Sequence, residues 1–257
     1  MNGEIITSLD NPMVKEARSL NDKKHRRFHG KFLVDGEKLV NEVVCGACDV
    51  DKIFVDASRI SEFGYILEKF SGKVVPVTSK VINSISENVT PQGIIAEVFM
   101  KETGEFSVFE NEPILVLDRI QDPGNLGTII RTASATGFNV IVLIDTVDPH
   151  SPKVVRSSSG GVFYSDIYRM SESEIIGFLK KKNIPILIAD MGGKNVFTNP
   201  VTQSQYALVI GNEGQGVSQN FKDNGEAISL PMKSQMESLN AGVSASVLMY
   251  VLMGEKI

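Results

Sequence analysis

Long apolar runs, cysteine pairs and the usual nucleotide-loop signatures are all scarce in this 257-residue chain. No stretch approaches the ~20 apolar residues that a membrane-spanning helix needs. The longest, Val243 to Met253, is short and interrupted by Ser and Ala. Met1 to Asp10 lacks a basic segment followed by an apolar core, so no secretory leader is expected and the expected location is the cytoplasm, away from membranes. The only two cysteines, Cys45 and Cys48, form a lone C-x-x-C downstream of His25 and His29. That order is not the usual zinc pattern, and a redox pair would open a helix after a strand. The pair reads better as the end of an apolar helix, stopped by Gly46, with Cys48 packed as a small apolar residue. No metal site is expected. G-x-G-x-x-G and Gly-Lys-Ser/Thr are both missing, which removes the common dinucleotide and P-loop sites. There is no internal repeat and no low-complexity tract.

What remains is an ordinary globular composition, with 42% hydrophobic and 22% charged residues, enough for one large domain or two modest ones. The net charge of −5 argues against a protein coated in nucleic acid. It conceals a basic run: from Lys15 to Lys31, seven basic side chains face two acidic ones. Such a run is either a solvated face or a local phosphate-binding patch, and the pattern leaves both open.

Helix and strand patterns alternate along the whole chain. Asp10-Asn11-Pro12 opens a helix with a capping residue and an early proline. Strands are expected at 32–34, 52–55, 74–77 and 93–99, with helices at 37–45, 58–70 and 79–85. This makes a compact α/β unit. A polar, acidic stretch ending at Glu112 reads as a linker tethered by Phe106 and Phe109. The expected division is 1–104, a linker at 105–112, and 113–257. The second part reads as strands at 114–118, 139–144, 166–168, 185–189, 206–210 and 227–230. Its helices are expected at 124–136, 152–158, 172–182, after Gly216, and 238–253. That alternation predicts a mainly parallel sheet with helices on both faces.

Three segments carry chemistry. The apolar run Ile114–Leu117 ends in the dense turn signal Asp122-Pro123-Gly124-Asn125, and the following helix carries Arg131 on what reads as an inward face. An inward guanidinium needs an acid such as Glu213 or a bound phosphate. Next, the strand ending at Ile210 runs into Gly211-Asn212-Glu213-Gly214-Gln215-Gly216, either an ordinary turn or a loop where a ligand can approach the main chain. Last, Leu230-Pro231-Met232 leads through a loop to Ser238-Leu239-Asn240, with Ser238 the expected helix cap.

Taken in order, Asp122-Pro-Gly-Asn125-Leu-Gly-x-x-x-Arg131, Gly211-Asn-Glu213-Gly-x-Gly216 and Leu230-Pro-Met-x₅-Ser238-Leu-Asn240 resemble the three motifs of the SpoU (TrmH-like) RNA ribose 2′-O-methyltransferases. Those enzymes belong to the knotted SPOUT class. Ser151-Pro-Lys153-Val-Val-Arg156-Ser-Ser-Ser-Gly160 is also similar to the family there. The resemblance spans roughly 112–254. A shorter likeness, in Ile6-Thr-Ser-Leu-x-Asn11-Pro and Phe32-Leu-Val-x-Gly36-Glu37, is to the family's ribosomal-protein-like substrate-binding domain. The family commonly has Gly where this chain has Ser234.

The resemblance implies a knotted α/β methyltransferase domain at 113–257 behind an α/β RNA-binding domain at 1–104, S-adenosylmethionine as cofactor, ribosomal or transfer RNA as substrate, and a homodimer. It implies active-site roles for Asn125, Arg131, Glu213, Ser238 and Asn240, and cofactor contacts from Ile210, Gly211, Leu230, Met232 and Leu239. RNA contacts fall to Lys23, Lys24, Arg26, Arg27, Lys153 and Arg156. The knot would pass about Gly211 to Asn240 through an earlier loop. The dimer face would come from the last helix, with Val247, Leu248, Tyr250 and Val251. The implied reaction is an in-line attack of a ribose 2′-hydroxyl on the sulfonium methyl, in which position and electrostatics are the protein's share. Arg131, which resists deprotonation, would bind phosphate rather than act as a base, with the phosphate or water taking the hydroxyl proton. Two other readings stand beside it: a non-catalytic RNA-binding relative, and an unrelated nucleotide-binding enzyme.

Overall fold

The structure, a computed structural model, describes residues 4–101, 103–108, 110–233 and 238–254; the side chains of 46 and 47 are also outside the description. Ser234 and Phe109, both singled out above, lie outside the described residues. The first elements are α1 (Pro12–Ser19), α2 (Lys23–His29), β1 (Lys31–Asp35), α3 (Glu37–Glu42), β2 (Val50–Asp56), α4 (Gly64–Lys69), β3 (Val74–Val77), α5 (Ser79–Ile85) and β4 (Ile94–Phe99). Then come β5 (Ile114–Asp118), α6 (Pro123–Thr136), β6 (Val140–Ile144), α7 (Pro152–Ser157), β7 (Asp166–Arg169), α8 (Glu172–Lys181), β8 (Ile186–Asn195), β9 (Ala207–Ile210), α9 (Gln219–Lys222), β10 (Glu226–Ser229) and α10 (Ala241–Met253). No helix among the described residues is long and apolar enough to cross a membrane.

The chain packs as two compact units, and the division is not linear. Residues 1–102 join 150–163 in one unit; 103–149 and 164–257 form the other. Helix α7, expected with the C-terminal half, therefore packs with the N-terminal unit, against β1. Phe163 and His150 both set their rings near Phe32, His150 at 4.8 Å.

The first unit has a four-stranded sheet ordered β1-β4-β2-β3, with β4 antiparallel to β1 and β2, and β3 parallel to β2. One core joins α1 (Val14, Ala17) and α5 (Val81, Ile82, Ile85) to Leu33, Phe54, Val77 and Ile95. Asn11 caps α1 by accepting from the Met13 amide at 2.9 Å, as its sequence signal predicted. The basic run contains a whole helix, α2, which the charge pattern hid. Its caps are ordinary: Asp22 accepts from the Lys24 amide, and Gly30 closes it at φ 62°. Near the cysteines the expected helix, 37–45, is two residues too short. A π-helical turn over Val43–Ala47 extends α3 past Gly46, Cys45 is exposed, and burial pushes the half-buried Cys48 thiol up to about 11.

The second unit is built on a six-stranded, wholly parallel sheet ordered β10-β8-β9-β5-β6-β7. One face packs against α8 through Ile175, Ile176 and Leu179, and against Phe221. Phe106, from the expected linker, stacks edge-on against Tyr168 and Phe178, so this segment is anchored to the sheet rather than loose. Helices α6 and α10 pack together, with Thr132 and Ser246 hydroxyls 2.8 Å apart. Strand β8 is twice its expected length. Its partner register on β10 jumps from Ile188 to Lys194, so residues 189–193 leave the ladder.

Candidate active site

The parallel order dictates where a site can form. From β5 the chain moves outward through β6 and β7; β9 instead continues toward the opposite edge, to β10 beyond β8. Adjacent strands whose connections leave in opposite directions open a crevice at their carboxyl ends, the usual binding place in parallel α/β sheets. Here those strands are β5 and β9, and the loops that follow them are the Asp122–Asn125 turn and the Gly211–Gly216 loop.

Three separate segments meet at this crevice through one line of side chains. The Asn240 amide donates to Asn125 Oδ1 at 2.8 Å, and the Asn125 amide donates to Glu213 Oε1 at 3.0 Å. The backbone amides of Asp122 and Gln121 also point at the Glu213 carboxylate, at 3.4 and 3.5 Å. Burial pushes the Glu213 carboxyl up, but the Asn125 hydrogen bond and these amides outweigh it, leaving its pKa below the ordinary value. Glu213 is thus an ionised anchor whose acceptors are committed to the loop after β5. The caps share the work: Asp122 accepts from the Asn125 amide at 2.7 Å to start α6, and Asn240 accepts from Val243 at 3.2 Å to start α10.

The same loops are also joined by a pair to which the sequence assigned no role. Asp118, at the end of β5, is 1% exposed and accepts from Arg119 Nε at 2.8 Å and from the Ser218 amide at 2.8 Å. Arg119 sits at φ 61°, an uncommon backbone conformation for a non-glycine. From there its guanidinium also reaches Gln215 at 2.9 Å and the Gly216 carbonyl at 3.3 Å, and its own carbonyl accepts from Asn212 at 2.9 Å. The loop after β9 is therefore held by Arg119 through Asn212, Gln215 and Gly216 and by Asn125 through Glu213. Asp-Arg at a strand end gives no signal in sequence, because the positive φ shows only in the fold.

The expected site residues divide as follows. Asn125, Glu213 and Asn240 are bonded together. Arg131 is exposed rather than inward, and makes no side-chain hydrogen bond or ion pair with the described residues. The acid suggested as its partner, Glu213, is taken by Asn125. Ser238 is exposed and is not the helix cap; Asn240, two residues on, caps α10 instead. Of the expected cofactor residues, Ile210 is buried at the end of β9, Gly211, Leu230 and Met232 are half-buried, and Leu239 is 44% exposed. Gly211 is indispensable for space: a Cβ there would lie 2.3 Å from the Gly216 carbonyl carbon and the Val217 nitrogen.

All six expected RNA-contact residues belong to the first unit. Lys23, Lys24, Arg27 and Lys153 are exposed, and so is Arg156, which donates to Asn88. Arg26 is a correction. It is 3% exposed, and its guanidinium donates to the carbonyls of Leu20 at 2.8 Å and Asn21 at 2.7 Å. A cation spent on buried backbone acceptors is part of the fold, not of a ligand surface.

A parallel sheet with a three-segment polar site at its switch point and an appended α/β unit defines a two-part SPOUT-type enzyme architecture. Comparison with known proteins gives the family. Residues 112–250 match the SpoU rRNA Methylase family, and residues 11–96 match the MRM3-like substrate binding domain. The chain is similar to the 23S rRNA (guanosine(2553)-2′-O)-methyltransferase RlmP of Bacillus subtilis, 32% identical over 97% of this chain and 99% of that protein. It is also similar to the AdoMet-bound rRNA methyltransferase of Sinorhizobium meliloti, at TM-score 0.84 and 28% identity over 97% of each chain. A third likeness is to AviRb of Streptomyces viridochromogenes, solved with AdoMet, at TM-score 0.85 and 26% identity over 96% of this chain and 98% of that one. The protein belongs to the SpoU methyltransferase family and is an RNA methyltransferase that uses S-adenosylmethionine.

Proposed function

We propose that the protein methylates the ribose 2′-hydroxyl of a guanosine in 23S ribosomal RNA, in the cytoplasm and as a homodimer. The observation that carries this reading is the Asn240–Asn125–Glu213 line, which ties all three motifs to one crevice. The substrate class follows the similarity to RlmP along nearly the whole chain.

The residues fit S-adenosylmethionine. Gly211 lets the loop after β9 close tightly at the strand end, Leu230, Met232 and Leu239 supply apolar surface beside the buried Ile210, and the ionised Glu213 suits a cationic ligand nearby. When bound, that cofactor supplies an electrophilic methyl group. The protein's part is placement. Asn125 and Asn240 hold the loops in register, Ser238 is exposed two residues before Asn240 in the third motif, and Arg131 binds the phosphate next to the target ribose and stabilises negative charge developing on its oxygen. Its exposure, and its lack of a partner among the described residues, suit a residue awaiting substrate. Val243, Val247 and Tyr250, 48%, 38% and 54% exposed on α10, support an apolar dimer face; Leu248, also expected there, is buried in the monomer and Val251 is half-buried.

Labelled S-adenosylmethionine and unmodified 23S RNA test the reading. The natural protein should transfer label to a ribose 2′-oxygen; Arg131→Ala should abolish transfer while cofactor affinity stays within about threefold, on the order of 0.6 kcal/mol. Loss of both together would remove Arg131 from the phosphate role, and absence of transfer by the natural protein would remove the activity.

A further inference from the structure

Helix α2 carries groups that methyl transfer itself does not use. Arg26 anchors the helix by donating to the Leu20 and Asn21 carbonyls, and that anchor fixes its rotation. At about 100° per residue, Lys24 and Phe28 each stand roughly 200° from Arg26, on the outward side, one turn apart. His25 and Arg27 flank them. The exposures agree: Lys23, Lys24, His25 and Arg27 are exposed, and Phe28 is 82% exposed. The rings are grouped. Phe28 meets His29 edge-on at 5.0 Å between centroids, and His29 lies nearly parallel to His25 at 6.4 Å. The acid beside them, Asp22, is engaged in capping α2.

A single exposed apolar residue is unremarkable on a protein surface. Phe28 differs in its company: a bare ring with cations one turn before it and beside it. We propose that α2 is a stacking platform for an unpaired nucleobase of the RNA substrate. Phe28 takes the base face, while Lys24 and Arg27 neutralise the flanking phosphates. This rests on the RNA methyltransferase reading and adds which form of RNA the first unit selects. Duplex RNA hides its base faces, so it can engage the cations but not the ring. A single strand or loop engages both.

The experiment uses the full chain, with fluorescein-labelled oligoribonucleotides of one sequence, single-stranded and closed into a duplex. Unmodified 23S RNA serves for turnover. Phe28→Ala should weaken single-strand binding about tenfold or more, the size of losing one stacked base. It should raise KM for RNA while leaving kcat, cofactor affinity and duplex binding unchanged. Phe28→Tyr should behave as the natural protein and Phe28→Leu as the alanine variant. Lys24→Ala and Arg27→Ala should each reduce the salt dependence of single-strand binding by about 0.7 in slope. The platform is overturned if Phe28→Ala binds both RNAs normally, loses both equally, or is rescued by leucine. Failure of the natural protein to methylate any RNA would instead strike the enzymatic reading, with the oligonucleotide affinities still deciding the platform.

Discussion

Three glycines in the loop after β9 should respond to alanine in three different ways. At Gly211 the new Cβ would sit 2.3 Å from the carbonyl carbon of Gly216 and the nitrogen of Val217. Both are backbone atoms, so relief needs a main-chain displacement of about 1 Å, since contacts below 3.0 Å are not tolerated. The Asn212–Gly216 bridge, with its two hydrogen bonds of 2.9 and 3.2 Å, lies in the path of that displacement. Losing them at about 1 kcal/mol each, with residual overlap, gives a cost of about 3 kcal/mol. At Gly216 there is open space but φ is 68°, so the cost is the left-handed conformation alone, about 1 kcal/mol. Gly214 has neither obstacle; its new Cβ would meet only Asn212 Oδ1 at 3.7 Å. Gly214→Ala should be neutral or stabilise by about 0.5 kcal/mol through the unfolded chain. Urea unfolding monitored by circular dichroism orders the three. Methyl transfer should follow the same order, because the clash displaces the loop that holds Glu213 against Asn125. Equal costs at Gly211 and Gly214 would refute the argument, since steric approach is what separates them.

Two further substitutions test the electrostatics. Asn125→Asp removes the donor to Glu213 and sets two carboxylates about 3 Å apart, costing about 2–4 kcal/mol at pH 7. The cost should shrink as the pH falls toward 4, when a shared proton restores the bond; a cost unchanged across that range in denaturant titrations would be inconsistent with charge repulsion. Glu97 is fully buried between Lys52 and Lys31, and burial raises its carboxyl to about 7 despite both lysines. A raised folded pKa means that its contribution to stability is complete below the ordinary 4.5 and is lost as pH rises through about 7. The shift sets that loss at about 3 kcal/mol. Its neighbour Asp51, held down to about 2 by Lys31 and Lys52 against its own desolvation, loses its contribution only as pH falls through that value, well outside this window. Glu97→Gln should therefore gain on the natural protein from about pH 4.5 to about 7 and then level off; a constant difference between the two across that range would show that Glu97 does not titrate there.

The elements were legible because they are local. Asp122-Pro123 announced α6, and the apolar run at 114–118 announced β5, since caps, prolines and periodicity act within a few residues. What stayed hidden depends on partners far along the chain. Arg131 read as inward because its helix is apolar, yet a helix covered on two sides still has a solvent edge, and only the packing of α10 along Thr128 and Thr132 shows where it lies. Arg26 read as one cation in a run of cations, and nothing in the run reveals that α2 turns that one side chain onto two carbonyls. Ser238 read as a cap because serine caps well; Asn240 took the position, and the same asparagine reaches Asn125.

The site follows the same logic. The motifs were visible as strings, but their meeting is a property of strand order. Asn125 and Glu213 are 88 residues apart and bond only because β5 and β9 are neighbours in the sheet. Had β9 been placed beside β7, both loops would keep their local shapes and the carboxylate would lose the amides that hold its pKa down. Arg119 makes the dependence explicit. Its left-handed backbone conformation costs about 1–2 kcal/mol, which contacts made in the folded state, beyond the local bond to Asp118, help to offset. Those contacts, to Gln215 and Gly216, exist only once β9 has docked beside β5. The strain at Arg119 therefore couples formation of the crevice to completion of the sheet, which makes this candidate site a product of the whole second unit rather than of any one motif.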